Sequence, residues 1–451
     1  MLWTLYHKLN KAIRNHSWYS ILIMQSTYQK VAETLFLKLN RFLGTDTRYL
    51  MRGSFWLVIG SMAGMLIGLL LSMTYARYLP KETYGSYRYV LSIISLVGIF
   101  SLPSFGATIT RSSARGFDGT FRKLSRIMFF SSFGISIVCV GAATFFFFRD
   151  QKELTLALAI AALFIPFVEG LGSWRAYLDG KKQFRNKSVY NITTQIVYGL
   201  LMAAAVISSY ALGFGLALTL TLLVGTYMLT HALPNVYFYF RTLRIIPPHA
   251  PEEPGSIRHA LHLSVSSVPA TFATYIDGVL LYHFLGPSAL AIYSFAILLP
   301  EQVKALLATY INVSLPKLAT QTADTNAQAL AKKTLPGKIL KASLLSAVII
   351  GGYIIVAPFA YQILFPAYVE SAPYSQVFAL SLLLFPFSIF GPFIQMEGNV
   401  WKIYLESVTG PFIQIILLLI LIPQFGIWGA VGGRVIGRIL NVLLEFIIFI
   451  K

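Results

Sequence analysis

Apolar and polar positions follow one another in long blocks along this chain, and the blocks predict membrane-spanning helices. A helix that crosses the hydrocarbon core of a bilayer needs about 20 predominantly apolar residues. Stretches of about that length, separated by short polar connections, occur near 54–76, 86–110, 124–148, 154–177, 189–209, 215–240, 260–283, 289–314, 339–360, 375–396, 404–422 and 427–450. The pattern predicts an all-α, polytopic membrane protein with about 12 transmembrane helices.

Lys and Arg are distributed unequally between the connections, and this distribution predicts the orientation of the chain. We counted residues at the span ends with the adjoining connection. One alternate set of connections, which includes both termini, then holds 28 of the 36 basic residues, and the other set holds 4. Cytoplasmic loops carry the excess of Lys and Arg. Both termini are therefore expected in the cytoplasm.

Composition excludes several classes of function. Charged residues make up 12% of the 451 positions, about half of the share in soluble domains, and the connections are too short for a soluble domain. The net charge of +19 follows the topology and not one face of a fold, so we expect no nucleic-acid partner. The single cysteine, Cys139, lies in an apolar span and excludes an intramolecular disulfide. We expect no metal site and no cofactor.

The chain is expected to divide into two lobes of six helices each. We predict a basic amphipathic segment over 1–53, a first lobe over 54–240, a cytoplasmic linker over 241–259 and a second lobe over 260–451. A basic amphipathic helix of this kind lies on the surface of the membrane.

A weak internal repeat supports the two lobes. The aromatic-Leu pair Tyr78-Leu79 after the first span recurs 206 residues later as Phe284-Leu285. Many transporters consist of two repeated halves with the substrate site between them. The repeat therefore predicts a central cavity.

Four basic residues lie inside the spans, where topology does not explain them: Arg88, Lys304, Arg434 and Arg438. Ionisable groups in hydrocarbon are costly and usually face a cavity or a partner helix. Because Arg binds phosphate oxygens through two parallel hydrogen bonds, we expect these cations to contact the headgroup of an anionic substrate. Alternatively, Arg434 and Arg438 pair with carboxylates of neighbouring helices and only hold the bundle together.

Three carboxylates inside the spans, Asp277, Glu301 and Glu169, are candidates for ion coupling. Asp277 has no basic residue within one helical turn, and a lone buried carboxylate can exchange protons. Glu301 precedes Lys304 by three residues, so the two can pair directly, and a merely neutralising role stays open. Glu169 lies nearer the inner surface, where water can hydrate it.

Short motifs recur in an order and spacing that are typical of one family. They comprise the 76–85 turn with Arg77 and Gly85, Arg111 at the end of span two, Arg175 after span four, the segment from Asp277 to Tyr293, and Pro316-Lys317-Leu318-Ala319. In these motifs the chain resembles the polysaccharide-exporter flippases of the multidrug, oligosaccharidyl-lipid and polysaccharide exporter superfamily. Those proteins move lipid-linked repeat units of O-antigen, capsule or related glycans. Ala291 stands where the family usually has Gly.

The resemblance implies two six-helix lobes around a central cavity that opens alternately to each side. It also implies a transporter without enzymatic activity, which carries a polyprenyl-(pyro)phosphate-linked oligosaccharide across the bacterial cytoplasmic membrane, coupled to H⁺ or Na⁺. The implied partners are this substrate, membrane lipids, and a polysaccharide polymerase or glycosyltransferases. We expect a monomer.

Other functions stay open at this point. A multidrug exporter of the same fold would expel organic cations and should have an acidic cavity. A lipid II-type flippase usually has helices beyond the twelfth. A membrane-embedded enzyme would need a polar catalytic loop, and the outer connections are short and nearly uncharged.

Overall fold

The computed structural model describes residues 47–321, 325–391, 394 and 400–450. Most of the predicted amphipathic segment, residues 1–46, lies outside the described residues, so that segment stays a prediction. The described chain is helical and contains no strands. Its α-helices are α1 Thr47–Tyr78, α2 Lys81–Val97, α3 Phe105–Ala114, α4 Gly119–Phe148, α5 Lys152–Val168, α6 Trp174–Gly180, α7 Phe184–Ala211, α8 Leu216–Ile245, α9 Ser256–Leu285, α10 Pro287–Gln321, α11 Thr325–Leu364, α12 Ser371–Leu380, α13 Val400–Phe425 and α14 Ile427–Ile450.

These helices coincide with the predicted spans. Nine spans are single helices, and three are broken: α2–α3, α5–α6, and α12 with the 3₁₀ segment Ser381–Ile389 that follows it. By length and apolarity alone, seven of the described helices are able to cross a membrane. An eighth joins them if the pair Lys81–Ser101 and Phe105–Ala114, bent by 51°, counts as one span. The protein is therefore an all-helical, polytopic membrane protein, as predicted.

The second span is broken at Pro103. Proline has no backbone N–H and disfavours a helical residue before it, and Leu102 adopts a left-handed φ of 55°. The break leaves Ser101 and Pro103 lining a cavity in the first half of the chain.

Large apolar side chains cover the outside of the bundle. Phe148 is 82% exposed, Val348 74% and Ile137 72%. A continuous apolar surface of this kind marks contact with a membrane. The polar side chains inside the spans must therefore be sought between the helices.

Two hydrogen bonds join residues 206 positions apart, the spacing of the predicted repeat. Arg88 Nε donates to Ser294 Oγ over 3.3 Å, and Ser288 Oγ donates to Glu82 Oε1 over 2.7 Å. Contacts between equivalent positions are expected next to a two-fold axis. Helices α2 and α10 therefore lie against each other as counterparts, while the exact lobe boundaries stay a prediction.

Pairs of aromatic rings join α2 to its neighbours α9 and α10 toward the predicted outer side of the membrane. Tyr89 stacks on Tyr282 of α9 with ring centroids 3.8 Å apart, and Tyr84 packs on Phe295 of α10 with centroids 5.0 Å apart. Such ring pairs stabilise a contact beyond the apolar area that they bury. The helix ends on this side are held together tightly.

Candidate functional site

The central cavity, of about 340 Å³, lies between α2, α9, α10, α13 and α14. Six of the seven charged residues predicted for the site line it: Arg88, Asp277, Glu301, Lys304, Arg434 and Arg438. Residues from both halves of the sequence therefore meet at one place inside the membrane. The seventh charge, Glu169, lines a different cavity.

Asp277 is fully engaged in the structure. Arg434 Nη2 lies 2.7 Å from Asp277 Oδ2, the Tyr293 hydroxyl donates to the same oxygen, and the Gly278 backbone N–H donates to Oδ1 over 2.8 Å. The side chains of Asp277 and Arg434 are only 5% and 14% exposed. The expectation that Asp277 has no basic partner is wrong. Its partner Arg434 lies on a different helix, α14, so a search within one helical turn of Asp277 does not find it.

Glu301 lies between two cations. Lys304 Nζ donates to Glu301 Oε2 over 2.9 Å, so the predicted pair one turn apart on α10 is present. Arg438 Nη2 approaches Glu301 Oε1 to 3.8 Å, and its Nη1 donates to Ser381 Oγ over 2.6 Å. Arg438 is thus fixed in position while its charge is only partly neutralised.

Arg88 is the least neutralised cation of the cavity. Its Nε donates to the neutral Ser294 hydroxyl, and none of the ion pairs among the described residues includes it. The cavity holds four cations and two carboxylates, and therefore an excess of two positive charges. It suits a ligand with two negative charges.

Glu169 lies in a separate cavity of about 610 Å³ in the first half, which Arg175, Asp179 and His231 also line. The positive charge of Arg175 acts on Glu169. Arg175 Nε and Nη1 donate to Asn191 Oδ1 and Asn235 Oδ1 over 3.1 and 3.0 Å. The structure does not bring Glu169 together with Asp277 and Glu301.

The motif residue Gly85 marks a close approach of two helices. A Cβ atom at this position would overlap the backbone carbonyl of Pro287, at the start of α10. Only glycine allows the two backbones to lie so near each other. By contrast, Arg77 is exposed in the last turn of α1, where a cation complements the helix dipole.

The motif residue Arg111 binds the connection between α8 and α9. Its Nη2 lies 3.1 Å from Glu253 Oε1, and Arg115 Nη1 lies 3.1 Å from the same oxygen. Ser112 Oγ also donates to Glu253, and the Glu253 backbone N–H donates to Thr120 Oγ1 over 2.7 Å. The Glu253 carboxylate therefore attaches the predicted linker to the inner end of α3, and its backbone N–H attaches it to α4.

We expect Glu253→Gln to weaken this attachment by about 2 kcal/mol, the value of a hydrogen bond to a charged group. The hydrogen bond from Ser112, with Arg111 and Arg115, lowers the pKa of Glu253 below its usual range. A lowered pKa stabilises the fold above the carboxyl's unfolded value, and the effect is lost as pH falls through the lowered value. The melting midpoint of purified protein, measured from neutral to acid pH, checks this.

Glu252→Gln is the matched control. Glu252 pairs with Lys123 over 2.7 Å, but the two side chains are 48% and 45% exposed. An exposed pair contributes less than about 1 kcal/mol. Equal effects of the two substitutions on stability would contradict the role given to Glu253.

A model of the family described as polysaccharide biosynthesis protein matches residues 50–322, more than half of the chain. The chain belongs to this family. No curated protein matches the sequence. The matched residues include the four motif positions, Arg77, Gly85, Arg111 and Arg175, and also Asp277.

Solved structures of other proteins show the same fold as this chain. It is similar to an outward-facing multidrug resistance MATE family transporter of the MOP superfamily, with a TM-score of 0.60 and 15% identity over 88% of this chain and 94% of that one. It is also similar to lipid II flippase MurJ in an inward closed conformation, with a TM-score of 0.62 and 14% identity over 86% and 87%. A third, a MOP superfamily transporter from Pyrococcus furiosus with a binding pocket of reverse polarity, has a TM-score of 0.59 and 15% identity over 88% and 94%. The chain therefore belongs to a polysaccharide-biosynthesis family and has the fold of the MATE transporters and of MurJ.

Proposed function

We propose that this protein is a transporter that moves a polyprenyl-(pyro)phosphate-linked oligosaccharide across the bacterial cytoplasmic membrane for the biosynthesis of O-antigen, capsule or another surface polysaccharide. The observation that carries the proposal is the excess of two positive charges in the central cavity. A pyrophosphate would neutralise this excess, and Arg side chains match its oxygens. The sugars would occupy the cavity while the polyprenyl tail stays in lipid.

A cation, H⁺ or Na⁺, would be coupled to transport. Arg434 is held by Asp277 in this structure. A cation that neutralises Asp277 would release Arg434 toward the phosphate, so loading of the cation and loading of the substrate would be linked. Glu301 would act in the same way on Arg438, and Glu169 would serve the first-half cavity.

A multidrug exporter remains the alternative of the same fold. It would bind organic cations, which a cavity with excess positive charge repels. One of the similar solved structures is described by the reverse polarity of its pocket, so this fold exists with more than one sign of charge. A lipid II-type flippase would share the pyrophosphate chemistry and differ in the sugars.

A deletion strain tests the function directly. We expect undecaprenyl-pyrophosphate-linked repeat units to accumulate on the inner side of the membrane while surface polysaccharide is lost. Normal surface polysaccharide would overturn the proposal. Accumulation of lipid II instead would favour the lipid II flippase. That result would also exclude the polymerase and glycosyltransferases that we propose as partners of this protein.

We expect Arg88→Gln to lower export about tenfold in the complemented strain. It removes one charged hydrogen bond to phosphate, worth about 1.5–3 kcal/mol, and 1.4 kcal/mol corresponds to about tenfold in affinity. Arg149→Gln, an exposed arginine at the end of α4, is the control and should export normally. Export that Arg88→Gln leaves unchanged at equal protein levels would remove Arg88 from the site.

A further inference from the structure

Helices α13 and α14 run antiparallel in a register that their glycines reveal. A Cβ on Gly433 would lie 3.0 Å from the Leu418 side chain, and a Cβ on Gly437 would lie 3.2 Å from that of Gln414. Each step of four residues along α14 thus matches a step of four residues back along α13.

The same register continues toward the predicted inner side of the membrane. A Cβ on Gly410 would overlap the Asn441 side chain, which is the next pair in the series. One further step brings Glu445 of α14 opposite Glu406 of α13. The register places the two carboxylates opposite each other, and the charge of Glu406 acts on Glu445.

Glu445 is buried, Glu406 is half-buried, and both carboxylates are incompletely hydrogen-bonded. Glu445 is 6% exposed, and its Oε1 accepts a hydrogen bond from Asn441 Nδ2 over 2.6 Å. The second oxygen of each carboxylate, Glu445 Oε2 and Glu406 Oε2, is buried without a hydrogen-bond partner in the described part of the chain. The first oxygen of Glu406 lies against Gly391, where a Cβ would come within 2.9 Å of it.

Three basic residues lie near the two carboxylates. Lys402 lies one turn before Glu406 on α13, and Arg438, two turns before Glu445 on α14, is bound to Ser381 and Glu301. On α9, His262 bonds the Tyr404 hydroxyl over 2.8 Å. None of the ion pairs recorded for the described residues includes Glu406 or Glu445.

Two like charges that face each other in a low dielectric cannot both stay ionised at acceptable cost. A single proton between them converts one carboxylate to a carboxylic acid, whose O–H donates to the other. Such a shared proton would give the unbonded oxygens of both carboxylates a partner. A metal ion fits less well, because in the described chain no three His, Cys, Asp or Glu residues are grouped to hold one.

We propose that Glu406 and Glu445 form a proton-binding dyad, positioned by Asn441, that holds one proton at neutral pH. Loss of the proton would place two negative charges between α13 and α14 and drive these helices apart. Because α14 also carries Arg434 and Arg438, protonation of the dyad would be linked to the position of the two cavity cations. The dyad lies outside the residues that line the central cavity.

Infrared spectroscopy of the full-length protein in lipid nanodiscs tests the dyad without any substrate, so its result is independent of the proposed function. We expect the C=O stretching band of a protonated carboxyl group at neutral pH, lost in both Glu406→Gln and Glu445→Gln. Glu301→Gln, in which an ion-paired carboxylate is removed, should keep it. The circular dichroism of each variant checks that it is folded.

Three results would overturn the dyad. They are the absence of the band in the unmodified protein, its persistence in both folded single variants, and its loss whenever sodium replaces N-methylglucamine in the buffer. The last result would identify a site for a metal cation and not for a proton.

Discussion

Replacing Asp277 by Asn is expected to destabilise the protein by about 3–5 kcal/mol, the cost of leaving one partner of a buried ion pair unpaired. Arg434, whose side chain is 14% exposed, would remain in the membrane interior with its charge uncompensated. The double variant Asp277→Asn with Arg434→Gln removes both charges and should recover most of the loss. Melting midpoints in detergent check the stability of the three proteins.

The double variant also separates folding from transport. We expect it to be stable yet inactive in export, because the cavity lacks both the Arg434 cation and the Asp277 carboxylate that would control its release. Glu370→Gln is the control: its pair with Lys81 is exposed, at 50% and 34%, and should contribute less than about 1 kcal/mol. Export and ion dependence that stay unchanged in Asp277→Asn would contradict the coupling role.

Replacing Gly85 by Ala is expected to cost about 3 kcal/mol and to abolish export. The added methyl group would overlap the carbonyl of Pro287, so α2 and α10 would have to separate, and overpacking of this kind is costly. The hydrogen bond between Glu82 and Ser288, one turn away, would be lost with it. Melting midpoints and surface polysaccharide check the two effects.

Gly64→Ala is the matched control for that substitution. Gly64 is also a helical glycine in the first half, but nothing lies within 4 Å of a Cβ built there. Alanine forms helices more readily than glycine by about 1 kcal/mol, so this variant should be neutral or slightly stabilised. Equal behaviour of the two alanine variants would contradict the close approach at Gly85.

The positions of most cavity charges follow from the sequence because lipid leaves them few alternatives. A charged side chain on an apolar span must point away from hydrocarbon, and Arg88, Lys304 and Arg438 do. Local spacing also suffices for the pair of Glu301 and Lys304, which lie one turn apart on one helix.

Partners on different helices cannot be predicted in this way. Asp277 meets Arg434 because α9 and α14 face the same cavity, and no pattern within either span shows it. Glu406 was missed for the same reason. A single carboxylate near the end of an apolar span resembles a hydrated loop residue until the register of α13 and α14 places Glu445 opposite it. Glu169 differs from these residues, because it lines a cavity as expected of a polar helix face, but a separate one.

The hydrogen bonds between residues 206 positions apart carry an evolutionary consequence. If the chain arose by duplication of a half-length ancestor that paired with itself, each residue at the axis once met its own counterpart, and one codon changed both sides together. Fusion of the copies removed that constraint. Gly85 and Ala291, also 206 apart, show the result: the copy that abuts Pro287 keeps its glycine, while the other carries a methyl group. The same freedom would have allowed one copy to collect five of the six cavity charges, and left the other to contribute Arg88 alone.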